Sequence, residues 1–184
     1  EAGRLCKVSQ GITTEIAGQC GTTFWPISED PEKQDLMLQR QGKMPEGWQT
    51  FNTMERFFAW TDKQKLSCNF MLYIGHSALR IAVMGYDNRR PTEEELTHMK
   101  ALVRDAMEHG AVGLSTGLIY APGCYADEAE LIELCRVVAE YDGVYATHMR
   151  SEGDRVEESV AEAIRIAENA GCRLNISHHK ISGR

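Results

Sequence analysis

Eight side chains able to do chemistry stand at or just beyond the ends of short apolar runs: Cys20, His76, Tyr120, His148, Arg150, His178, His179 and Lys180. The run VYATHMR, Val144 to Arg150, passes from apolar residues to a histidine and an arginine directly after Gly143. LNISHHK ends the same way at Lys180, and ITTEIAGQC ends at Cys20. Cysteine thiolate and histidine imidazole are good zinc ligands. Three such ligands with a fourth position open make a catalytic zinc, which activates water at neutral pH. These residues are far apart in the chain and match no short zinc motif, so a shared site requires the fold to gather them on one rim.

Each residue also has a plainer reading. A single histidine after a strand is more often a hydrogen-bonded packing residue than a ligand, and that is the preferred reading of His76. Cys20 alone reads as a buried thiol, and Tyr120 alone as a packing residue with a satisfied hydroxyl. His98 and His109, on or near the end of a solvated helix, receive no role, and nothing argues for reactivity at Cys124. Glu152, Asp154, Arg155, Glu157 and Glu158 form a charge run, read most simply as the solvated start of a helix.

The elements that must position these groups follow from local pattern. Short β-branched or apolar runs predict strands at Ile12–Ala17, Asn69–Ile74, Val112–Ser115, Val144–Thr147 and Leu174–Ser177. Leu5 to Gln10 reads as the end of a helix stopped by Gly11. A helix is expected over Thr53–Lys63. The next starts at Pro91-Thr92, where Thr92 and Glu95 form a capping box, and buries Leu96, Met99, Leu102, Val103, Ala106 and Met107. Asp127 and Glu130 are expected to cap a helix with Leu131, Leu134, Cys135 and Val138 inward. Asp154 opens a last helix with Val156, Val160, Ala163, Ile164 and Ala167 inward. Leu79 to Tyr86 has no clear period and reads as a connection. Residues 22–49, with Pro26, Pro31 and Pro45, read as a long covering loop with one short helix near Asp35–Gln41.

Strict alternation of strand and helix implies an α/β fold with a parallel sheet. Five strands cannot close an eight-stranded barrel, so the options are an open doubly wound sheet or part of a barrel. No G-x-G-x-x-G and no P-loop marks a nucleotide site. With 184 residues the chain is long enough for one domain with its own core. Its net charge of −7, with no basic patch, argues against nucleic acid or an anionic membrane as partner. No apolar run approaches a membrane span. The six cysteines form no C-x-x-C pair and suggest no disulfide framework, which favours a reducing, cytoplasmic setting. The start, EAGRLCKVSQG, reads as the tail of a helix, and a fragment is expected.

Three longer segments, GLSTGLIYAPGCYADEAELIEL, VVAEYDGVYATHMRSEGDRV and LNISHHKISG, resemble the D-aminoacylase (N-acyl-D-amino-acid deacylase) family of the amidohydrolase superfamily. QGITTEIAGQCG and GHSALRIAVMG are similar to earlier strands of the same family. The resemblance spans nearly the whole chain and is weakest over residues 22–49. It implies an arc of a TIM-type (β/α)8 metal-dependent hydrolase barrel, about strands 2 to 6, forming one partial domain over residues 1–184 with a long loop at about 22–52. It implies Cys20, His148 and His178 as metal ligands for one or two zinc ions. It also implies Tyr120 and Lys180 as substrate contacts, with Tyr120 serving catalysis.

The implied reaction is hydrolysis of an N-acyl-D-amino acid to a carboxylate and a D-amino acid. The family's upstream histidine pair and downstream aspartate are absent from these residues, so the chain alone is expected to bind metal weakly and turn over little. Unpaired sheet edges would then favour self-association. The alternatives are another amidohydrolase acting on cyclic imides or dipeptides, or a non-catalytic partial barrel acting as an assembly module.

Overall fold

The computed structural model describes residues 5–182. The strands are β1 (Thr14–Ala17), β2 (Asn69–Gly75), β3 (Gly113–Gly117), β4 (Val144–His148) and β5 (Arg173–Ile176). The helices are α1 (Leu5–Val8), α2 (Pro31–Gln41), α3 (Met54–Asp62), α4 (His76–Met84), α5 (Glu93–Glu108), α6 (Glu128–Glu140) and α7 (Val156–Ala170). Every strand pairs in parallel with the next, giving the spatial order β1-β2-β3-β4-β5. A doubly wound sheet reverses its strand order at a switch point. Here spatial order equals chain order throughout, so right-handed crossovers all step the same way and lay their helices on one face. That is the arrangement of a barrel arc, and it decides between the two options left open by the sequence.

Alternation along the strands divides the sheet. Leu72, Ile74, Leu114 and Tyr145 lie on one face and join Leu79, Met99, Val103, Leu131, Leu134 and Ile166 of the helices in a single core. Ile16, Met71, Tyr73, Ser115, Ala146 and His148 lie on the other face, which is the concave side of an arc. Ile16 and Met71, paired across β1 and β2, remain 48% and 41% exposed.

Local chemistry explains the helix starts. Thr92 accepts from the Glu95 amide while Glu95 accepts from the Thr92 amide, closing the expected capping box at α5. Asp127 accepts from the Glu130 amide at α6, each such cap being worth about 1 kcal/mol. At α2 the cap is Asp30, with Pro31 in the first turn, so that helix starts earlier than its period alone suggests. Residues 22–49 are held down by burial: Trp25, Ile27 and Met37 belong to the core. Trp25 is fully buried, and truncating it would cost about 3–5 kcal/mol.

Three local expectations are corrected. Leu79–Met84, read as a connection, is part of α4, whose nine residues are all buried. Its polar residues His76, Ser77 and Arg80 are buried with the rest, so the helix has no solvent face. On α7, Ile164 is 42% exposed and Ile166 is fully buried. The buried stripe is Ser159, Ala163, Ile166, Ala167 and Ala170, with a serine where an apolar residue was sought. Glu130 gives the α6 cap only its amide; its side chain takes no part there and is buried between α4 and α6, for the reason given below.

Candidate metal centre

Three chain-distant residues meet at the C-terminal ends of the strands. Cys20 sits in the turn Gly18-Gln19-Cys20-Gly21 after β1, His148 closes β4, and His178 lies just past β5. Cys20 Sγ is 3.7 Å from His148 Nδ1 and 3.7 Å from His178 Nε2. All three donor atoms lie within 4.8 Å of one another. A tetrahedral zinc with ordinary Zn–S and Zn–N bonds separates a sulfur from a nitrogen ligand by about 3.6 Å. The two sulfur–nitrogen separations therefore match the edges of such a tetrahedron, and one soft and two borderline donors suit zinc. Cys20 and His178 are held at φ +55° and +39°, values that non-glycine residues adopt only where the surroundings enforce them.

The far sides of the two imidazoles turn to one carboxylate. His178 Nδ1 lies 3.0 Å from Glu152 Oε1, and His148 Nε2 lies 3.5 Å from the same oxygen, within ion-pair reach though without hydrogen-bond geometry. The Lys180 ammonium pairs with Glu152 Oε2. A carboxylate on the second nitrogen of a ligand histidine fixes its tautomer and raises its basicity. Glu152 is 7% exposed; the reading of it as part of a solvated charge run is therefore incorrect. Its pattern, a glutamate between Arg150 and Asp154, carried no sign of this; the one available signal was its position four residues after His148.

Electrostatics prepare the groups unequally. Hydrogen bonding to Lys180, with the charge of its ammonium, holds the Glu152 carboxyl below its ordinary range despite its burial. Burial lowers the His148 pKa, partly offset by Glu152, so the ring is neutral and able to ligate. Burial and then the Glu152 charge push the Cys20 thiol up; a cation in the site would reverse that.

Around this centre the other rim residues take separate places. The Tyr120 ring meets the edge of His148 at a centroid separation of 5.0 Å and is 45% exposed. The His148 and His178 rings are 4.4 Å apart. His179 is exposed. Arg150 is used structurally: its guanidinium pairs with Glu162 on α7 and donates to the carbonyls of Cys124 and Ala126, both at 2.9 Å. It thereby pins the loop that carries Tyr120.

His76, at the end of β2, is fully buried and does not join the cluster. Its Nε2 meets Glu130 Oε1 at 2.8 Å, while Arg80 donates to Glu130 Oε2 at 2.6 Å and to the carbonyls of Asp87 and Arg89. Burial alone would raise the Glu130 pKa, but His76 and Arg80 outweigh it and hold it below its ordinary value.

No protein-family model matches the chain. A D-aminoacylase of Alcaligenes xylosoxydans xylosoxydans is 38% identical over 181 residues, which cover 97% of this chain and 36% of that protein. Among solved structures, a D-aminoacylase studied for its binuclear metal centre superposes with a TM-score of 0.84 at 35% identity, over 98% of this chain and 37% of the other. An N-acyl-D-glutamate deacylase of Bordetella bronchiseptica, solved with zinc and a phosphonate mimic of the tetrahedral intermediate, gives a TM-score of 0.84 at 38% identity over 97% and 36% of the two chains. The chain thus spans about a third of the length of the relatives it matches. Identity sustained over nearly all of this chain, with the same fold, makes it similar along its length to about one third of a D-aminoacylase-type amidohydrolase.

Proposed function

We propose that this chain forms one metal-binding arc of a zinc-dependent hydrolase that cleaves the amide bond of N-acyl-D-amino acids, releasing a carboxylate and a D-amino acid. The observation that carries this reading is the convergence of Cys20, His148 and His178 in a chain whose relatives are N-acyl-D-amino-acid deacylases. Those three residues would hold the zinc, with a second ion depending on ligands beyond them. When bound, the zinc supplies an activated water and polarises the scissile carbonyl.

The remaining work falls to this chain's own side chains. Tyr120, set against His148 and reachable from solvent, donates its hydroxyl to the oxyanion that develops at the amide carbon. Lys180, whose side chain is 54% exposed, presents an ammonium to the substrate α-carboxylate as a point charge. Glu152 keeps the two imidazoles oriented. Among the described residues no further carboxylate joins this group, so a general base from elsewhere completes the reaction, and these residues alone bind metal weakly and turn over little. The preference for D substrates follows from the relatives.

Residues 1–184 are read as a single partial barrel domain, with residues 22–52 as its cover. A cytoplasmic setting is part of this proposal, in keeping with six cysteines whose spacing suggests no disulfide framework. No helix among the described residues is long and apolar enough to cross a membrane.

The test is His148→Ala in a full-length D-aminoacylase-type protein carrying this chain. Bound zinc and turnover of N-acyl-D-amino acids should both be lost; normal turnover with zinc still bound removes His148 from the ligand set. Hydantoins and dipeptides assayed in parallel separate this substrate class from other amidohydrolase substrates. A second reading, assembly through the sheet edges, rests on the exposed pair Ile16 and Met71 beside β1. A monomer of this chain on a sizing column at all concentrations would remove it.

A further inference from the structure

The turn that carries Cys20 has little of its own to hold it. It has two glycines at positive φ, Gly18 at +78° and Gly21 at +74°, flanking Gln19 and a cysteine itself at +55°. What supports it is a strand distant in sequence. The Ser115 hydroxyl on β3, fully buried, donates to the Gly18 carbonyl and accepts from the Gly21 amide at 3.1 Å. A single hydroxyl can do both because it carries one proton and two lone pairs. It thus spans both ends of the four-residue turn.

Two residues on, Gly117 brings the β3 backbone directly beneath the same turn. A Cβ there would stand 2.4 Å from the Cys20 carbonyl oxygen. A weaker tether comes from the other side, where Ser177 Oγ and Gln19 Oε1 lie 3.3 Å apart.

We infer that Ser115 is a positioning residue for Cys20: its hydroxyl clamps the Gly18–Gly21 turn onto β3 and so aims the thiol at His148 and His178. This rests on the reading of Cys20 as a metal ligand. The physical case is one of matched polarity in a closed space. Gly21 is buried, and without the hydroxyl its amide loses the one partner that faces it from β3. A buried unpaired donor drives a local rearrangement, and the amide that loses its partner belongs to the glycine-flanked turn itself. The donor atoms of the cluster span less than 5 Å, so a small displacement of Sγ takes it out of ligand range.

The experiment uses Ser115→Ala in this chain with two readouts. The first is the rate at which iodoacetamide alkylates each cysteine, followed peptide by peptide without metal. Cys135, fully buried in the core, serves as an internal reference for global opening. The clamp requires Cys20 to react faster in S115A while Cys135 keeps its wild-type rate. The second is titration with Co²⁺ alone, reading the thiolate-to-cobalt charge-transfer band. S115A should lose roughly 10- to 100-fold in affinity, the range found when partners of metal ligands are removed, with a weaker band.

If Cys20 and Cys135 accelerate together, Ser115 serves folding in general and the inference falls. Unchanged Cys20 reactivity with wild-type cobalt binding also overturns it. A wild-type chain that binds Co²⁺ with no thiolate band removes Cys20 from the metal site, whereas the alkylation readout still reports separately on whether Ser115 holds the turn.

Discussion

Two histidine–glutamate clusters lie at the strand ends of this molecule, and they are built for opposite purposes. His76, Glu130 and Arg80 are each at most 3% exposed, and both Glu130 oxygens are matched to nitrogens at 2.6 and 2.8 Å. His148, His178 and Glu152 share the same two residue types, but the third partner is a thiol rather than a guanidinium. There the imidazoles turn one nitrogen each toward Cys20 and the other toward the carboxylate. A guanidinium closes a carboxylate with five donors and accepts nothing; a thiol leaves lone pairs converging on a point that a cation can fill. Residue type at a strand end therefore does not distinguish a ligand from a packing residue. The direction of the unshared lone pairs does.

The largest expected effect tests the closed cluster. Glu130→Ala leaves Arg80 buried without its counter-charge and should cost about 3–5 kcal/mol in urea unfolding, with cobalt affinity of the folded fraction unchanged. A loss below about 1 kcal/mol, the size of an exposed pair, would show that the cluster is not sealed.

Glu152→Gln tests the open one. Cobalt affinity should fall roughly tenfold, through weaker orientation of the imidazoles, while the unfolding midpoint moves little. The reverse pattern, lost stability with intact affinity, would make Glu152 another structural carboxylate.

A finer distinction comes from pH. Metal binding must displace a proton from Cys20, whose thiol is held above its ordinary value by burial and by Glu152. Cobalt affinity should therefore climb with rising pH through neutrality and keep climbing beyond the ordinary thiol range. His148 is already neutral there, its pKa being lowered by burial, and adds nothing to the slope. A flat profile above neutral pH would mean that the thiolate is not the ligand.

The smallest effect is expected from Lys180→Met in a full-length protein. KM for carboxylate-bearing substrates should rise more than kcat falls, because the ammonium supplies binding common to ground and transition states. Equal losses in kcat would instead tie Lys180 to Glu152 and the imidazoles.

What could be read from the chain was whatever is encoded over a few neighbouring residues. The α5 boundary was legible because Thr92 and Glu95 cap each other three residues apart, and the five strands because each is an apolar or β-branched run bounded by turns. The candidate ligands Cys20, His148 and His178 were legible as strand-end residues, and the family resemblance supplied their grouping. Long-range contacts were not legible. HSALRIAVM is only nine residues long and its polar residues His76, Ser77 and Arg80 are buried, so no solvent-facing stripe marks it as a surface helix. Glu152 sits among charges that do face water, and only folding turns it toward His178. Ser115 is one small polar residue in a strand, ninety-seven residues from the carbonyl it grips. Sequence alone determined which groups stand at the ends of which elements, because caps and periodicity act over three or four residues. Tertiary structure decided which of those groups face one another, because a hydrogen bond or a ligand set depends on distances of a few ångströms between segments that the chain itself keeps far apart.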